Sequence, residues 1–424
     1  MHANGVSHAV VRDDVSGVDA ILRWLAYVPR RVGAPLPCWP TPDPLRRPPA
    51  FTPAAGVPYD PRELLAGFFD AGSFTEAMSE WGKSVVAGRA CLGGMPMGCI
   101  AVETRTTEKT VPADPAFAGA QQTTEQQAGQ ARVILCLFAS RAHTSLNPQV
   151  WFPDSAFKTA QAIADFDGEG LPLLVFANWR GFAGGMRDMF GEVLKFGAMI
   201  VDGLRAYRQP VVVYIPAHGE LRGGAWVVID ATINAEQMEL FCADSARGGV
   251  LEPEGIVDIK FRREDLVRAM RRTLPPAQPG GDLHAAGGGE AALLPLFKQV
   301  AVAFAALHDT PGVMRAKGAV TAVVPWGEAR EFFGRHLRRR VAAARIATAA
   351  RAASPGLDAA AVAAAVAELK PLVDAAGAAE GPVAVDEAPE ARAFLKALRS
   401  KHIRAEVSRM MAEDPAAVRA ALAQ

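Results

Sequence analysis

Hydrophobic and polar positions along the first part of the chain repeat with two different periods. Apolar residues at helical spacing predict helices over residues 17–29 and 155–170, the second with a serine cap at its start and a glycine beyond its end. The apolar runs LPLLVFAN and QPVVVYIP predict buried strands, and residues 84–104 are typical of a strand, a glycine turn and a second strand. Apolar residues recur at i, i+3, i+4 and i+7 over residues 185–204, which predicts one helix buried on one face. This alternation predicts an α/β domain whose turns share one edge.

The other parts of the chain have weaker patterns. Residues 31–61 are rich in proline and predict an irregular boundary segment. After Lys260 the pattern is helical almost throughout, interrupted by the linker TLPPAQPGGDLHAAGGGE, and the end of the chain predicts alanine-rich helices. The stretch FFGRHLRRRVAAARIATAARAA is typical of a solvated basic helix, with a nucleic-acid-binding face as the alternative.

Composition and charge exclude several classes of function. Lysine plus arginine and aspartate plus glutamate each number 45, and this balance argues against bulk binding to nucleic acid or to an acidic membrane. No apolar run is long enough to predict a membrane span, and the N-terminus has neither a secretory nor a transit pattern. The cysteines lack CxxC spacing, so neither a disulfide framework nor a zinc site is expected, and a reducing compartment is favoured. They are Cys38, Cys91, Cys99, Cys136 and Cys242.

Two glycine-rich turns, RGFAGG and LRGGAW, each follow an apolar run, without a Ser-His-Asp order, a Walker loop or a metal-ligand cluster. A strand that enters such a turn and leaves into a helix presents free backbone N–H groups. Two turns side by side would form an oxyanion hole, which lowers the barrier to an enolate or a negative carbonyl oxygen by roughly a few kcal/mol per donor. Arg180 and Arg222 would each hold a carboxylate as a bidentate fork. Tight packing of the turns with solvated arginines is the alternative interpretation.

Longer motifs around these turns resemble a known family. ANWRGFAGGMRDMF, YIPAHGELRGGAWVVID, GGVLEPEGIVDIKFRRE and VAFAALHDTPGVMRAKG are similar to the carboxyltransferase domain of eukaryotic-type multidomain acetyl-CoA carboxylase. Upstream, NGVSHAVVRDDVSGV, WLAYVP, FFDAGSF, GGMPMGCIAVETRT and VWFPDSAFKTAQAI match in the same order, so the resemblance covers residues 4–340. It implies a crotonase-like α/β fold in two halves. It also implies transfer of a carboxyl group from carboxybiotin to acetyl-CoA, giving malonyl-CoA for fatty acid synthesis.

The resemblance assigns roles to residues of the two turns. It implies that Arg180 recognises the carboxyl group being moved. It also implies that the backbone amides of Gly223, Gly224 and Ala225 hold the ureido oxygen of biotin. The decarboxylated biotin nitrogen would then take the proton from the acetyl methyl group, which accounts for the missing general base.

The resemblance implies that further residues line or border the active-site channel of the family. Arg222 is also a candidate binding residue, because it lies at the second turn. For Phe182 ordinary core packing is the alternative. For Glu252 the alternative is a helix-start carboxylate satisfied by nearby N–H groups. The channel positions are Phe182, Val228 and Val250, with Glu252 beside them.

The chain departs from the family pattern in several places. Residues 1–42 resemble the last stretch of the N-terminal half, residues 43–275 the C-terminal crotonase-like half, and residues 276–424 form a linker and a helical extension. The stretch of the N-terminal half that binds much of coenzyme A has no counterpart in the sequence. Residues 131–149 interrupt a stretch that is continuous in the family. We expect them to lie outside the functional fold, as a translated intron or a surface loop.

The resemblance predicts the carboxyltransferase component of acetyl-CoA carboxylase. The expected partners are acetyl-CoA and malonyl-CoA, the biotin carboxyl carrier and biotin carboxylase domains, and a second copy in a homodimer. Biotin is the expected cofactor, carried on the partner domain, while ATP binding belongs to the whole ligase; no metal, nucleic acid or membrane is expected. The expected location is the cytoplasm, with a plastid as the alternative. A carboxyltransferase for another acyl-CoA, such as propionyl-CoA, and a truncated inactive fragment are the competing hypotheses.

Overall fold

The computed structural model describes residues 1–111, 116, 123–127, 149–273 and 289–422. The strands in these residues are β1 (Thr75–Ala77), β2 (Val85–Leu92), β3 (Met95–Val102), β4 (Thr107–Val111), β5 (Thr123–Gln127), β6 (Val150–Trp151), β7 (Leu173–Phe176), β8 (Gly181–Phe182), β9 (Val211–Ile215), β10 (Glu220–Arg222), β11 (Met238–Cys242), β12 (Arg247–Gly249) and β13 (Ala322–Val323). The helices are α1 (Asp14–Leu25), α2 (Pro61–Phe68), α3 (Pro153–Gly168), α4 (Met186–Phe190), α5 (Val193–Ala206), α6 (Gly223–Val228), α7 (Pro253–Lys260), α8 (Arg263–Thr273), α9 (Gly289–Ala306), α10 (Pro311–Ala316), α11 (Trp326–Ala353), α12 (Ala359–Glu368), α13 (Lys370–Ala378), α14 (Pro389–Glu413) and α15 (Pro415–Leu422).

Seven strands form the central sheet, in the order β1-β2-β3-β7-β9-β11-β13. The first three pair antiparallel, and the pairs from β3 to β13 are parallel. β2 and β3 form a hairpin in which Leu92 pairs with Met95, and positive φ angles at Gly93 and Gly94 close its turn. Both strands are buried along their whole length, which explains their nearly continuous apolar sequences. The strand, turn and strand predicted for residues 84–104 are confirmed.

The parallel part of the sheet carries the predicted alternation of strands and helices. β7 pairs with β9 and β9 with β11, so that Val213 lies between Val175 and Leu240. α3 precedes β7, α5 connects β7 to β9, and the two helices pack against each other. The carboxyl ends of parallel strands meet at one edge, which is where α/β proteins place their functional loops. The α/β fold class is confirmed, and the glycine turns lie beyond this edge.

Two small parallel sheets position the turns. β6 pairs with β8, with Val150 opposite Gly181, and β10 pairs with β12, with Arg222 opposite Gly249. β8 contains Gly181 and Phe182 of the first turn, β10 contains Leu221 and Arg222 of the second, and α6 starts directly after β10. The pairings therefore determine where each turn begins.

α11 is a core element, although its sequence predicts a solvated basic helix. Phe333 and Leu337 are fully buried in the same cluster as the central sheet. Arg338, within the predicted stretch, is 2% exposed, and its guanidinium donates to Gly93 O at 2.8 Å and to Gly381 O at 2.8 Å. The prediction is wrong because the positive charge is paired with acceptors that are far away in the sequence, which makes its burial tolerable.

Three predicted helices have different bounds in the structure. The helix predicted over residues 17–29 is α1, which begins at Asp14 and ends at Leu25. The helix predicted over residues 185–204 is divided into α4 and α5, because Glu192 takes a left-handed conformation with φ 67°. The helix predicted over residues 155–170 begins earlier, at Pro153. Ser155 lies inside its first turn, where its Oγ accepts from the Phe152 amide at 2.9 Å.

One hydrophobic core runs through the three segments that the sequence distinguishes. It includes Leu36 from the first segment, the sheet residues from the second, and Leu337 and Ala391 from the third. β13, in the predicted helical extension, is the last strand of the central sheet. The packing therefore does not give the three segments separate cores.

Some predictions fall on residues outside the described ranges. These are residues 131–148 of the interrupting segment and most of the predicted linker, residues 274–288. Within the described ranges the four cysteines are free, and no helix is long and apolar enough to cross a membrane.

Candidate active site

The two glycine turns are in contact beyond the carboxyl edge of the parallel strands. The amide of Arg222 donates to Trp179 O at 2.9 Å, which joins β10 to the segment before β8. Gly181 and Gly223 have φ angles of 136° and 54°, conformations that favour glycine. A Cβ on Gly223 would lie 3.3 Å from Arg180 O, closer than most side chains tolerate. Glycine therefore allows the second turn to approach the backbone of the first.

The first turn of α6 offers free backbone donors. The amide of Gly223 is already used, because it donates to Val250 O at 3.0 Å. The amides of Gly224 and Ala225 have no acceptor in the described part of the chain, as is usual for the first N–H groups of a helix. Gly224 is exposed and Ala225 is buried. Of the three amides implied by the resemblance, two are unpaired in the described part of the chain, and only that of Gly224 belongs to an exposed residue.

The ring of Phe182 packs between the two turns. Its centroid lies 5.2 Å from that of Trp151, and the two rings are tilted by 31°. A Cβ on Gly224 would lie 3.4 Å from the Phe182 ring, and a Cβ on Gly197 would lie 2.7 Å from it. Phe182 is half-buried against the core. It therefore both packs the core and forms a wall beside the free amide of Gly224.

Arg180 has three side-chain partners at the mouth of the first turn. Its Nη1 donates to Glu252 Oε1 at 2.5 Å, its Nη2 lies 3.3 Å from Glu220 Oε2, and its Nε donates to Gln149 Oε1 at 3.4 Å. The backbone oxygen of Gln149 also accepts from the Arg180 amide at 2.7 Å. Gln149 is buried and belongs to this site, which corrects at that position the prediction that residues 131–149 lie outside the functional fold.

Glu252 is the residue before α7, but its side chain does not cap that helix. Its carboxylate pairs with Arg180 instead, and 45% of the side chain is exposed. Of the two interpretations that the sequence leaves open, the geometry favours a carboxylate at the site over one satisfied by the helix start.

Arg222 lies behind the second turn. Its side chain is 4% exposed, and its Nη1 donates to Asp309 Oδ2 at 2.5 Å and to Leu251 O at 3.3 Å. Its Nε donates to Glu220 Oε2 at 3.2 Å. Burial by itself lowers the pKa of Arg222, but the hydrogen bond to Asp309 and the charges of Asp309 and Glu220 raise it above its ordinary value. Arg222 is therefore a charged group committed to internal partners and is not presented to a ligand as an open fork.

Sequence reasoning missed several polar residues of the site. Glu220 accepts from Arg222 and forms an ion pair with Arg180, and its own amide donates to the side chain of Asn178 at 2.9 Å. Glu220 is two residues from Arg222 on β10, and side chains two residues apart on a strand lie on the same face. This spacing could have predicted that Glu220 lies beside Arg222. Asp309 carried no such signal, because only the tertiary structure brings it to Arg222.

A small polar cavity of about 70 Å³ opens at Arg180. Since one water molecule takes up about 30 Å³ of liquid, this space suits a group as small as a carboxylate. Its polar lining includes Thr104, Gln149, Asn178, Arg180, His218 and Glu220.

The two channel valines lie in different environments. Val228 is buried, whereas Val250 is 76% exposed. Val250 and Trp226 border a second, larger cavity of about 510 Å³, whose lining is mostly apolar. The structure therefore brings Val250 to an open surface beside the second turn and places Val228 within the packing of α6.

Large apolar side chains are exposed around both turns. Phe190 of α4 is 92% exposed, although α4 lies next to the site. Such a concentration of exposed apolar surface usually marks an interaction site. The residues are Met186, Met189, Phe190, Leu194, Val227, Val250, Leu251 and Ile259.

The chemistry that this arrangement offers is electrostatic. No cluster of His, Cys, Asp and Glu side chains able to hold a metal ion occurs within the described ranges. The site does offer an arginine paired with two carboxylates and two free backbone amides. These groups suit a ligand that carries a carboxylate and a second oxygen on which negative charge develops.

A model of the carboxyl transferase domain matches residues 1–341 of the chain. The chain is 44% identical over 375 residues to acetyl-CoA carboxylase of Dictyostelium discoideum, covering 80% of this chain and 16% of that protein. It is 46% identical over 367 residues to acetyl-CoA carboxylase of Saccharomyces cerevisiae, covering 80% and 16%. It is 47% identical over 367 residues to that of Schizosaccharomyces pombe, covering 80% and 15%. The chain therefore spans less than a fifth of the length of these relatives.

Among solved structures, the fold is similar to transcarboxylase 12S with methylmalonyl-coenzyme A and methylmalonic acid bound. The TM-score is 0.55 at 17% identity, covering 77% of this chain and 51% of that one. A second structure of transcarboxylase 12S, with hydrolysed methylmalonyl-coenzyme A bound, gives a TM-score of 0.53 at 16% identity. At this identity the similarity shows the crotonase-like fold, which confirms the fold expected from the resemblance.

Proposed function

The chain belongs to the carboxyl transferase domain family, and on this premise we propose that it is the carboxyltransferase component of an acetyl-CoA carboxylase. In this proposal it moves a carboxyl group from carboxybiotin to acetyl-CoA and forms malonyl-CoA for fatty acid synthesis. The observation that carries the proposal is the contact between the two glycine turns, which brings the backbone of Arg180 and Gly181 next to Gly223 and the unpaired amide of Gly224. Acetyl-CoA is favoured over propionyl-CoA because relatives named acetyl-CoA carboxylase are 44% to 47% identical to the chain.

The residues of the site fit the two polar ends of a carboxylated biotin. Arg180 borders the cavity of about 70 Å³ and would bind the carboxyl group. The amides of Gly224 and Ala225 would donate to the ureido oxygen and stabilise the negative charge that it gains when the carboxyl group leaves. Biotin, carried on a separate domain, supplies the carboxyl group and then a ureido nitrogen that can accept the methyl proton of acetyl-CoA. The Phe182 ring closes one side of the Gly224 turn against water.

A complete site requires a second protein surface in this proposal. The polar cavity of about 70 Å³ at Arg180 accounts for the carboxyl group alone, and a second surface would enclose the rest of both substrates. The exposed apolar residues around the turns, such as Phe190 and Val250, suit contact with the N-terminal carboxyltransferase half of a second subunit. The proposed assembly is a homodimer of the longer polypeptide, in which one subunit supplies that N-terminal half to the other. The biotin carboxyl carrier and biotin carboxylase domains are the other proposed partners, and the cytoplasm or a plastid is the proposed location.

Malonyl-CoA decarboxylation in the presence of free biotin tests the proposal, since it is the reverse of the proposed transfer. The assay compares the 424-residue chain with a longer polypeptide that includes an N-terminal carboxyltransferase half. We expect turnover by the longer polypeptide and little turnover by the 424-residue chain. Absence of biotin-dependent turnover in the longer polypeptide would contradict the proposed function. Turnover by the 424-residue chain within about tenfold of the longer polypeptide, roughly 1.4 kcal/mol of barrier, would contradict the need for a second surface.

A further inference from the structure

The two carboxylates that pair with Arg180 are held very differently. Glu220 is on β10, which pairs with β12. Its amide donates to Asn178, and its carboxylate accepts from Arg222, which is itself held by Asp309. Glu220 therefore belongs to a connected, largely buried network and cannot move without disturbing it.

Glu252 has no comparable support. Its side chain is 45% exposed, and Arg180 is its one side-chain partner within the described ranges. It precedes α7 but makes no capping hydrogen bond to that helix. Rotation of its own side chain would release Arg180 without breaking any other recorded contact. Exposed ion pairs of this kind contribute little to stability.

We propose that Glu252 is an exchangeable internal carboxylate, which occupies the anion position on Arg180 until the carboxyl group of a ligand replaces it. Glu220 keeps the guanidinium in place during the exchange. The inference rests on the proposed function, since it takes a carboxylate as the ligand of Arg180. The exchange keeps two negative charges on Arg180 in both states, so the half-buried guanidinium never loses a counter-ion.

The exchange has a consequence for specificity. A neutral acyl group gains nothing from displacing Glu252, whereas a carboxylated ligand recovers the ion pair that it breaks. Glu252 therefore prevents neutral groups from binding to Arg180, whereas a carboxylate can displace Glu252 and bind. The same masking weakens the apparent affinity for a carboxylate by the free energy of the Arg180–Glu252 pair, about threefold for an exposed pair.

Binding of free malonate to the 424-residue chain, measured by isothermal titration calorimetry, tests this division of roles. Glu252→Gln should tighten malonate binding by about threefold, because the competing carboxylate is removed. Glu220→Ala should weaken it by about tenfold, because Arg180 is no longer oriented. Glu220→Gln keeps an acceptor oxygen for Arg222 and should recover part of the affinity. If each carboxylate acted only through its negative charge, removal of either one would tighten malonate binding. Tighter binding in Glu252→Gln together with weaker binding in Glu220→Ala therefore shows that Glu220 positions Arg180.

Two controls accompany these variants. Glu254→Gln removes an exposed carboxylate from the first turn of the same α7 helix and should leave malonate binding unchanged. Arg180→Gln should abolish the binding. Thermal unfolding of each variant confirms that the loss seen in Glu220→Ala comes from a folded protein, and Glu220→Gln replaces it if it does not fold.

Unchanged or weaker malonate binding in Glu252→Gln overturns the exchange, and so does tighter binding in Glu220→Ala. Because the binding assay requires no turnover, its result is independent of the decarboxylation assay. The longer polypeptide could fail in the decarboxylation assay while malonate still binds more tightly to Glu252→Gln and more weakly to Glu220→Ala. That result would reject the proposed function but support the exchange of Glu252 for a ligand carboxylate at Arg180.

Discussion

Replacement of Asp309 by alanine should strongly destabilise the fold, because it leaves the charge of Arg222 buried. Both side chains of this pair are 4% exposed, and the distance between Arg222 Nη1 and Asp309 Oδ2 is 2.5 Å. Breaking a buried pair by removing one partner costs roughly 3–5 kcal/mol. Arg222 keeps two other acceptors, Glu220 Oε2 at 3.2 Å and Leu251 O at 3.3 Å. We therefore expect the lower end of this range, about 3 kcal/mol.

A matched control comes from a neighbouring exposed pair. Lys298 donates to Asp258 Oδ1 at 2.7 Å, and the two side chains are 39% and 44% exposed. Asp258→Ala should cost about 0.5 kcal/mol, because exposed ion pairs contribute little. The double variant Arg222→Met with Asp309→Leu should recover much of the stability, since it removes both charges from the buried position.

Urea denaturation with linear extrapolation measures these changes in the free energy of unfolding. The slope of the transition should be the same in all variants, so that the midpoint alone reports stability. If Asp309→Ala lowers the free energy of unfolding no more than Asp258→Ala does, the Arg222–Asp309 pair does not behave as a buried charge pair. The Arg222–Asp309 interaction would then not stabilise the network proposed to hold Glu220. A double variant less stable than Asp309→Ala would also contradict the reasoning.

The other predictions concern catalysis and acid stability. In the longer polypeptide Arg180→Lys should lower kcat/KM for malonyl-CoA decarboxylation at least about tenfold, because an ammonium cannot reproduce the bidentate fork; unchanged kinetics would remove the fork from the mechanism. Gly224→Val should abolish turnover, because the added side chain would crowd the unpaired Gly224 amide proposed to bind the ureido oxygen. The melting temperature should change little, because Gly224 is exposed and its Cβ would lie 3.4 Å from the Phe182 ring, an ordinary contact distance. Full activity would make the turn a packing feature only. The hydrogen bond from Arg47 holds the pKa of Asp43 below its ordinary value. The ionised Asp43 carboxylate therefore stabilises the fold above about pH 4, and this stabilisation is lost as the pH falls through the lowered pKa. In a series of urea denaturation midpoints measured at different pH values, Asp43→Asn should reduce the fall in the midpoint at acid pH. If the fall is unchanged, other groups are responsible for acid denaturation.

The local sequence pattern was sufficient to predict those helices and strands that are determined by their own residues. The apolar runs of β7 and β9 are continuous because both strands are buried on both faces, and burial of that kind leaves a direct record in composition. The break between α4 and α5 left a weaker record. A helix is interrupted by one residue in a left-handed conformation, Glu192, and glutamate is not a residue type that predicts it.

The sequence by itself determined the α/β fold, the place of the two glycine turns and the family to which Arg180 and Gly224 point. Each of these depends on residues that are close together in the chain. The tertiary structure alone decided which charges are buried and which are free, since a charge run looks the same whether solvent or distant backbone oxygens surround it. Arg338 of α11 is buried because its guanidinium donates to Gly93 O, and Arg222 is committed because Asp309 reaches it from a later segment. Solvation and pairing are properties of three-dimensional neighbours, so no local pattern could have separated Arg222 from Arg180.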